Sequence, residues 1–479
     1  MSSENLIFTA SGIRGVAEKV LTDDIVQKIA ISYGSWVKNK NIPVAIGRDT
    51  RFSGKRIEKS IIKGLIASGC KVINFGICPT PIIIYEKTKQ SIPGGIIISG
   101  SHNPPEWNGL KLMSYKTFLS LRELNEISNR LTNIDLKKYE LNKIFPSKSV
   151  INQDPIPQYV KALYHYLDRE KIVKKNKLKV VIDTGGGAGS KATPLILEGL
   201  GCKVNMINNE LDAHYNFPRD QEPIAKNLGD LIATVKDGEY DIGFAHDCDA
   251  DRLTIIGNDG TCYPEDTGLA IIAAYILKNY GKSDKRIIFV TNLASSLMFE
   301  AIAKEYDAQI VRTPIGERYL AEKMEILIDK NKKRKENSLI FGGEGSCGGV
   351  MFPDFNNARD GIFAAAKIVE ILTETNKSIS ELTSKLPKFY SYREIIEIKE
   401  EKIDFIIKNL KKELISGGEE VIQVGMDLRI HNEYEWFVLI HPSNTEPIIR
   451  VISEAKQEII AKNKCNSITE SINNIISLL

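Results

Sequence analysis

Residues 44–75 read VAIGRDTRFSGKRIEKSIIKGLIASGCKVINF. An apolar run, Val44–Gly47, enters a polar turn at Arg48 and Asp49. A helical stretch follows near Lys55–Ala67, and a second apolar run, Cys70–Phe75, ends the segment. Strand, helix and strand of these lengths form a βαβ unit, and such units build parallel sheets. The pattern returns twice. The second copy is strand Val180–Asp183, turn Thr184–Gly189, helix near Lys191–Leu200 and strand Cys202–Ile207. The third is strand Ile287–Val290, turn Thr291–Leu293, helix near Ser295–Tyr306 and strand Gln309–Arg312. Gly-Cys-Lys-Val recurs at 69–72 and 201–204, which supports an internal repeat. After about residue 385 the pattern changes. Strands near Tyr390–Ile398, Val421–Val424, Asp427–Ile430 and Trp436–Ile440, with helices near Lys402–Leu414 and Ser453–Leu478, predict a smaller α+β domain.

The expected fold class is therefore α/β: three similar α/β domains with mixed, largely parallel sheets, plus a C-terminal α+β domain. The expected boundaries are 1–150, 151–257, 258–384 and 385–479. Pro146, Pro155 and Pro157 among polar residues mark 145–157 as a linker, and Gly257–Gly260 marks a second break. At 479 residues the chain has room for about three or four domains of ~100–150 residues.

Hydrophobic content of 42% and charged content of 26% are those of a soluble globular protein. A net charge of +3 gives no general affinity for polyanions, so any anion site must be local. Lys332-Lys333-Arg334-Lys335 reads as a solvated loop, not a nucleic-acid patch, since no aromatics are interleaved. The opening Met1-Ser2-Ser3-Glu4-Asn5 lacks a basic segment leading into an apolar core, and no apolar run approaches ~18 residues. The expectation is neither a secretory signal nor a membrane span. Seven scattered cysteines without a Cys-x-x-Cys pair point to reduced thiols and a cytoplasmic location.

Four stretches carry candidate chemistry. Ser101 lies in Ser99-Gly100-Ser101-His102-Asn103-Pro104, directly after apolar Ile96–Ile98. Gly100 allows an unusual backbone angle and Pro104 stiffens the exit, so the hydroxyl is aimed off a rigid strand end. The competing reading is an ordinary turn. Asp247-Cys248-Asp249-Ala250-Asp251-Arg252 places three carboxylates on alternate residues after the strand-like Tyr240–Phe244. They repel one another unless a cation sits among them. Hard oxygen ligands suit Mg²⁺, and Arg252 beside them suits a phosphate; a solvated acidic turn is the alternative.

Gly342-Gly343-Glu344-Gly345-Ser346-Cys347-Gly348-Gly349 can bring backbone close to a ligand, with Glu344 and Ser346 reading sugar hydroxyls; the alternative is a flexible glycine loop. His441-Pro442-Ser443-Asn444-Thr445-Glu446-Pro447, with Arg450 beyond it, offers donors for a phosphate nest or an ordinary helix start. A fifth stretch, Asp183–Gly189, resembles a nucleotide loop, but Ser190 stands where the third glycine of G-x-G-x-x-G belongs. It reads as a structural strand-to-helix turn.

In this order the motifs — a serine in S-H-N-P, D-x-D-x-D-R, G-E-x-S and P-S-N-T-E-P — resemble the α-D-phosphohexomutases over essentially the whole chain. Ser11–Gly15 and Gly47-Arg48-Asp49-Thr50-Arg51 also resemble that family's first domain. The resemblance implies four domains around a central cleft. It implies that Ser101 is a phosphoserine, with Mg²⁺ held by Ser101, Asp247, Asp249 and Asp251. Arg14, His102 and Lys111 would serve proton transfer and charge stabilisation, and Arg252 the phosphoryl group. Glu344 and Ser346 would hold sugar hydroxyls, and Ser443, Asn444, Thr445 and Arg450 the distal phosphate. The implied substrate is a phosphorylated hexose, with a hexose 1,6-bisphosphate as intermediate and activator. No nucleic acid or membrane partner is implied, and the chain would be a monomer or homo-oligomer.

Phosphoglucosamine mutase is the leading reading, phosphomannomutase/phosphoglucomutase the alternative. A metal-dependent phosphatase and a non-catalytic sugar-phosphate binding protein are the readings from other classes. Three departures stand out: Ser99-Gly100 where the family usually has T-A, Ser346-Cys347-Gly348 where many members have S-G-H, and His441 where an arginine is usual. The first is expected to have little effect. The last removes a permanent charge and a bidentate fork, for which Arg450 or Arg429 would compensate.

Overall fold

The computed structural model describes residues 6–9, 12–37, 42–141, 147–210, 216–280, 286–432, 434–443 and 447–478. Packing divides the chain into two compact units. One comprises Ser2–Ile272 with Cys347–Ser384, the other Ala273–Ser346 with Lys385–Leu479. The division cuts through the expected third domain, because the stretch after Ser346 packs with the first unit.

The first unit holds two sheets. Its seven-stranded sheet has the order Ile7–Thr9, Gly12–Val16, Trp107–Met113, Gly94–Ile98, Pro43–Arg48, Lys71–Ile77, Val150–Asn152. The first βαβ unit supplies the parallel centre, where Pro43–Arg48 pairs with both Lys71–Ile77 and Gly94–Ile98. Trp107–Met113 then runs antiparallel to Gly94–Ile98 and to Gly12–Val16. All five residues of Gly94–Ile98 are buried, as suits a strand covered on both faces. Helix Gly54–Ala67 lies tightly on helix Asp23–Trp36: a Cβ at Gly64 would come within 2.6 Å of Ala30 Cβ. The expected 145–157 linker is shorter than its composition suggests. Val150–Asn152 pairs parallel with Lys71–Ile77 as an edge strand, and Pro157 sits in the first turn of helix Ile156–Tyr166.

The second sheet has the order Thr254–Gly257, Ile242–Ala245, Lys179–Asp183, Lys203–Ile207, parallel except at its first strand. Helix Gly361–Thr375 packs beside helix Thr193–Gly199. Its N-cap Asp360 accepts from Phe363 N, and buried Tyr159 donates its hydroxyl to the same carboxylate at 2.7 Å.

In the second unit, Gln309–Thr313, Arg286–Asn292 and Ser338–Glu344 run parallel, from the third βαβ unit. The C-terminal domain is a five-stranded antiparallel sheet in the order Tyr390–Glu397, Ile448–Ala455, Trp436–Pro442, Asp427–Asn432, Val421–Val424. Helices Ile403–Ser416 and Glu458–Ser477 cover one face, sharing a core with Leu428, Val438, Ile440 and Val451. The two parts are joined by packing of Leu293 and Leu297 against Phe437 and Leu439. Glu454 strengthens the joint by accepting from Ser296 Oγ (3.0 Å) and Leu297 N (2.6 Å).

Two local expectations need correction. The last helix does not begin near Ser453, because Ile448–Ala455 is a strand paired on both edges. Its alternating β-branched residues, with Ile449, Val451 and Ser453 buried, have the period of a strand. Lys332, Lys333 and Arg334 are not loop residues but the last turn of helix Glu317–Arg334, where cations offset the helix dipole; Lys335 caps it with φ +57°.

Candidate active site

In the first unit, Ser101 sits one turn beyond the buried strand Gly94–Ile98 and is 1% exposed. The unusual backbone angle belongs to Ser101 itself (φ +48°), not to Gly100. A left-handed serine needs outside support. Arg51 supplies it: its fully buried guanidinium donates to the carbonyls of Ser101 (2.7 Å), Asn103 (2.6 Å), Pro104 (2.5 Å) and Trp107 (3.0 Å), and to Asp49 Oδ2 (3.2 Å). Gly100 is small for the same reason. A Cβ there would lie 2.6 Å from Arg51 Cζ and Nε. Glycine here leaves room for the arginine under the loop.

The Ser101 hydroxyl donates to Asp247 Oδ2 at 2.8 Å. Asp247, Asp249 and Asp251 are fully buried, and one oxygen from each lies within 4.8 Å of the others. Their surroundings separate the oxygens by role. Asp249 Oδ2 accepts from Thr80 Oγ1 (2.5 Å) and Lys111 Nζ (2.7 Å). Asp251 Oδ2 accepts from Lys111 Nζ (3.0 Å) and Arg359 Nη2 (2.6 Å). Asp249 Oδ1 and Asp251 Oδ1 are buried with no hydrogen-bond partner among the described residues. An orphaned carboxylate oxygen is costly in a protein interior, and a divalent cation answers that cost for both. Without one, burial and then the neighbouring carboxylates push Asp247 up to about 8. Burial also opposes ionisation of Asp251, but Arg359, Lys111 and Arg252 outweigh it and hold that carboxyl well below the usual range.

His102 accepts from Arg252 Nη2 at its Nδ1 (2.9 Å), which puts the ring proton on Nε2. The charge of Arg252, followed by burial, holds the imidazole far below its ordinary pKa. Arg252 thus disfavours the charged imidazole. Arg14 donates to Asn103 Oδ1 (2.7 Å); burial and then Arg252 lower its pKa to about 10, so it stays charged at neutral pH. Ser101, His102, Lys111, Arg14, Arg252 and the three aspartates thus form one constellation.

The glycine turn 183–189 packs against the acidic loop of this constellation. A Cβ at Gly187 would lie 2.6 Å from Cys248 O, and Ala188 N donates to that carbonyl. On the other side, Leu253 N donates to Gly348 O and Gly361 N to Ala250 O. Gly348 and Gly349 were expected to approach a ligand; their smallness instead admits Leu253 O (2.3 Å from a Cβ at 348) and Arg359 Cδ (2.5 Å from one at 349).

In the second unit, Glu344 ends a strand and is buried. Its Oε1 accepts from Asn292 Nδ2 (3.0 Å) and Gly316 N (2.7 Å). Ser346 lies in the short turn Gly345–Cys347 that follows, and is half-buried. His441 Nδ1 donates to Asp427 Oδ1 at 2.7 Å, and Arg450 stands across from His441 on the neighbouring strand. Ser443 N donates to Ile448 O, while Asn444 and Thr445 lie outside the described residues. Arg429, the other residue expected to compensate, is 3% exposed and stacked 4.4 Å from the centre of the Phe437 ring.

Thr80, Arg359, Asn292, Gly316 and Asp427 escaped the sequence reading, and Arg51 was noted without a role. Cys78-Pro79-Thr80-Pro81 directly after a strand was a visible signal. Arg359 and Asp427 had none, since each acts through a residue far away in sequence.

Models of the phosphoglucomutase/phosphomannomutase family match in series: alpha/beta/alpha domain I over residues 5–138, domain II over 157–260 and domain III over 264–390. The chain is 35% identical over 457 residues to a phosphoglucomutase/phosphomannomutase of Thermococcus kodakarensis, covering 94% of this chain and 95% of that one. It is 32% identical over 478 residues to a probable phosphoglucosamine mutase of Pyrococcus abyssi, covering 98% and 97%. A crystal structure of a phosphoglucomutase/phosphomannomutase family protein from Burkholderia thailandensis superposes with a TM-score of 0.81 at 25% identity, over 99% of this chain and 98% of that one.

Proposed function

Because the chain belongs to the phosphoglucomutase/phosphomannomutase family, the α-D-phosphohexomutases, we propose that Ser101 is its phosphoserine and glucosamine phosphate its substrate. It is an isomerase that interconverts hexose 1- and 6-phosphates. The observation that carries the site reading is Ser101 Oγ at 2.8 Å from Asp247, beside two buried carboxylate oxygens that no donor among the described residues reaches.

Phosphoserine at 101 donates its phosphoryl group to the free hydroxyl of the sugar phosphate: the phosphorus–Oγ bond breaks as the bond to the sugar oxygen forms, and the proton lost by that hydroxyl is balanced by the one gained by the freed Ser101 Oγ. The resulting hexose 1,6-bisphosphate turns over and returns its other phosphate to Ser101. In the unphosphorylated state the serine hydroxyl proton, which must leave on rephosphorylation, points at Asp247 Oδ2. Arg14 and Arg252 supply fixed positive charge to a group whose transfer depends on electrostatic stabilisation. His102 is oriented by Arg252 at its Nδ1, with Ser101 Oγ 3.4 Å from the same nitrogen. Asp247, Asp249 and Asp251, together with the phosphoserine, would hold Mg²⁺, which would supply charge compensation for the transferring group. Glu344 and Ser346 read the sugar hydroxyls; Ser443, Asn444, Thr445 and Arg450 take the distal phosphate.

The preference for glucosamine phosphate rests on relatives such as the Pyrococcus abyssi protein. The Thermococcus kodakarensis relative favours glucose and mannose phosphates as the second reading. Steady-state kinetics on all three sugars, each primed with its bisphosphate, decides between them. Glucosamine phosphate is expected to have the highest kcat/KM, and a preference of about tenfold for glucose 1-phosphate, worth ~1.4 kcal/mol, would reverse the assignment.

A further inference from the structure

The far oxygens of Asp249 and Asp251 are occupied from two sides by residues that belong to different parts of the first unit. Thr80 opens helix Thr80–Lys89 beyond the strand Lys71–Ile77, and it is tied to the acidic loop twice. Its N–H donates to Asp249 O at 3.0 Å and its hydroxyl to Asp249 Oδ2 at 2.5 Å. Arg359 comes from the segment after Cys347. Its Nη2 donates to Asp251 Oδ2 (2.6 Å) and its Nη1 to Cys347 Sγ (3.2 Å). The backbone under it is fixed by its neighbour Asp360, which caps a helix and accepts from Tyr159 and Asn356. Lys111 bridges the two carboxylates between them. Each carboxylate is held by one oxygen, and a carboxylate held by one oxygen presents the other in a set direction.

We infer that Thr80 and Arg359 are positioning residues for the cation site, acting through Asp249 and Asp251 by fixing which oxygen each presents. The inference rests on the reading of the three aspartates as that site. Orientation and charge predict opposite signs at Arg359. A guanidinium beside a dication repels it, so charge alone predicts tighter metal binding when Arg359 is lost. Loss of orientation predicts weaker binding, as for outer partners of metal ligands generally. Thr80 carries no charge, so Thr80→Val removes only the hydroxyl and leaves the shape and the main-chain bond. Arg359→Lys keeps the charge and loses the fork that reaches both Asp251 and Cys347.

The test is titration of the unphosphorylated full-length protein with Mn²⁺ alone, read by the loss of the free-ion electron paramagnetic resonance signal. Melting temperatures are measured without metal in parallel. Thr80→Val and Arg359→Lys are each expected to weaken Mn²⁺ binding by on the order of tenfold. Should Arg359→Lys fail to fold, Thr80→Val decides alone. Metal affinity within twofold of the parent, or tighter, would overturn the inference, whatever the melting temperature does. Asp249→Asn separates the two failures: if the parent does not bind Mn²⁺, or Asp249→Asn binds it equally well, the cation-site reading has failed instead.

Discussion

The loop around Ser101 and the strand end at His441, the two places proposed to meet a phosphate, are built differently. Ser101 is 1% exposed, its backbone held in a left-handed turn by a guanidinium that spans four carbonyls. His441 is half-buried on the strand Trp436–Pro442, with Asp427 on its Nδ1. The contrast follows the chemistry. Transfer needs reacting atoms fixed in advance, because misplacement of about 1 Å costs on the order of a hundredfold in rate. Recognition of a second phosphate tolerates a side chain that orients on binding. The first region should therefore be intolerant of small changes and the second graded.

Arg51→Met breaks the comparison hardest if it is wrong. It removes the guanidinium from four carbonyls, of which that of Ser101 is buried, and from the buried Asp49 carboxylate; removing one partner of a buried ion pair costs about 3–5 kcal/mol. Urea denaturation should show a loss of that size; a loss below ~1 kcal/mol would mean that the loop holds itself.

Stripping divalent cations should leave Asp247 the least compensated of the three buried carboxylates, since Lys111 and Arg359 pair with the other two. Asp247 is then raised to about 8, above its value in the unfolded chain. A raised carboxyl stabilises the fold below the unfolded pKa and loses that contribution as pH rises through the folded one. The melting temperature in chelator should fall between about pH 4 and 8 relative to the Mg²⁺-loaded protein, and a constant gap across that window would contradict the assignment.

Gly100→Ala is a smaller probe of the same loop. Its added methyl meets Arg51, at a cost of about 1–3 kcal/mol. Because the displaced group holds the Ser101 backbone, kcat should fall more than KM rises. At the other region, His441→Arg restores a charge and fork that do not depend on pH. A few-fold lower KM at pH 8 with unchanged kcat is expected. An unchanged KM would show that Arg450 already does the work.

The fold was legible where period and composition agreed. The three βαβ units appear with their parallel pairings, and Val421–Val424 appears with the expected ends. Ile448–Ala455 was missed because its strand period runs almost directly into a helix with similarly spaced apolar residues. Ser101 and the three aspartates were legible because reactive groups and like charges crowded in sequence have few structural uses. Thr80, Arg51 and Arg359 act on residues 50 to 169 positions away, and contacts at that range leave no local pattern. The glycines misled most. Gly100, Gly348 and Gly349 read as freedom or ligand approach, while each clears space for an arginine or a carbonyl.

The central claim is a phosphoryl group carried on Ser101. Incubation of the Mg²⁺-loaded protein with a hexose 1,6-bisphosphate, followed by peptide mass spectrometry, tests it directly. The account predicts a gain of about 80 Da on the peptide that contains Ser101, absent in Ser101→Ala together with at least roughly a thousandfold of the mutase activity. A phosphate on another residue, or a Ser101→Ala protein that still turns over at more than a small fraction of the parent rate, would contradict it.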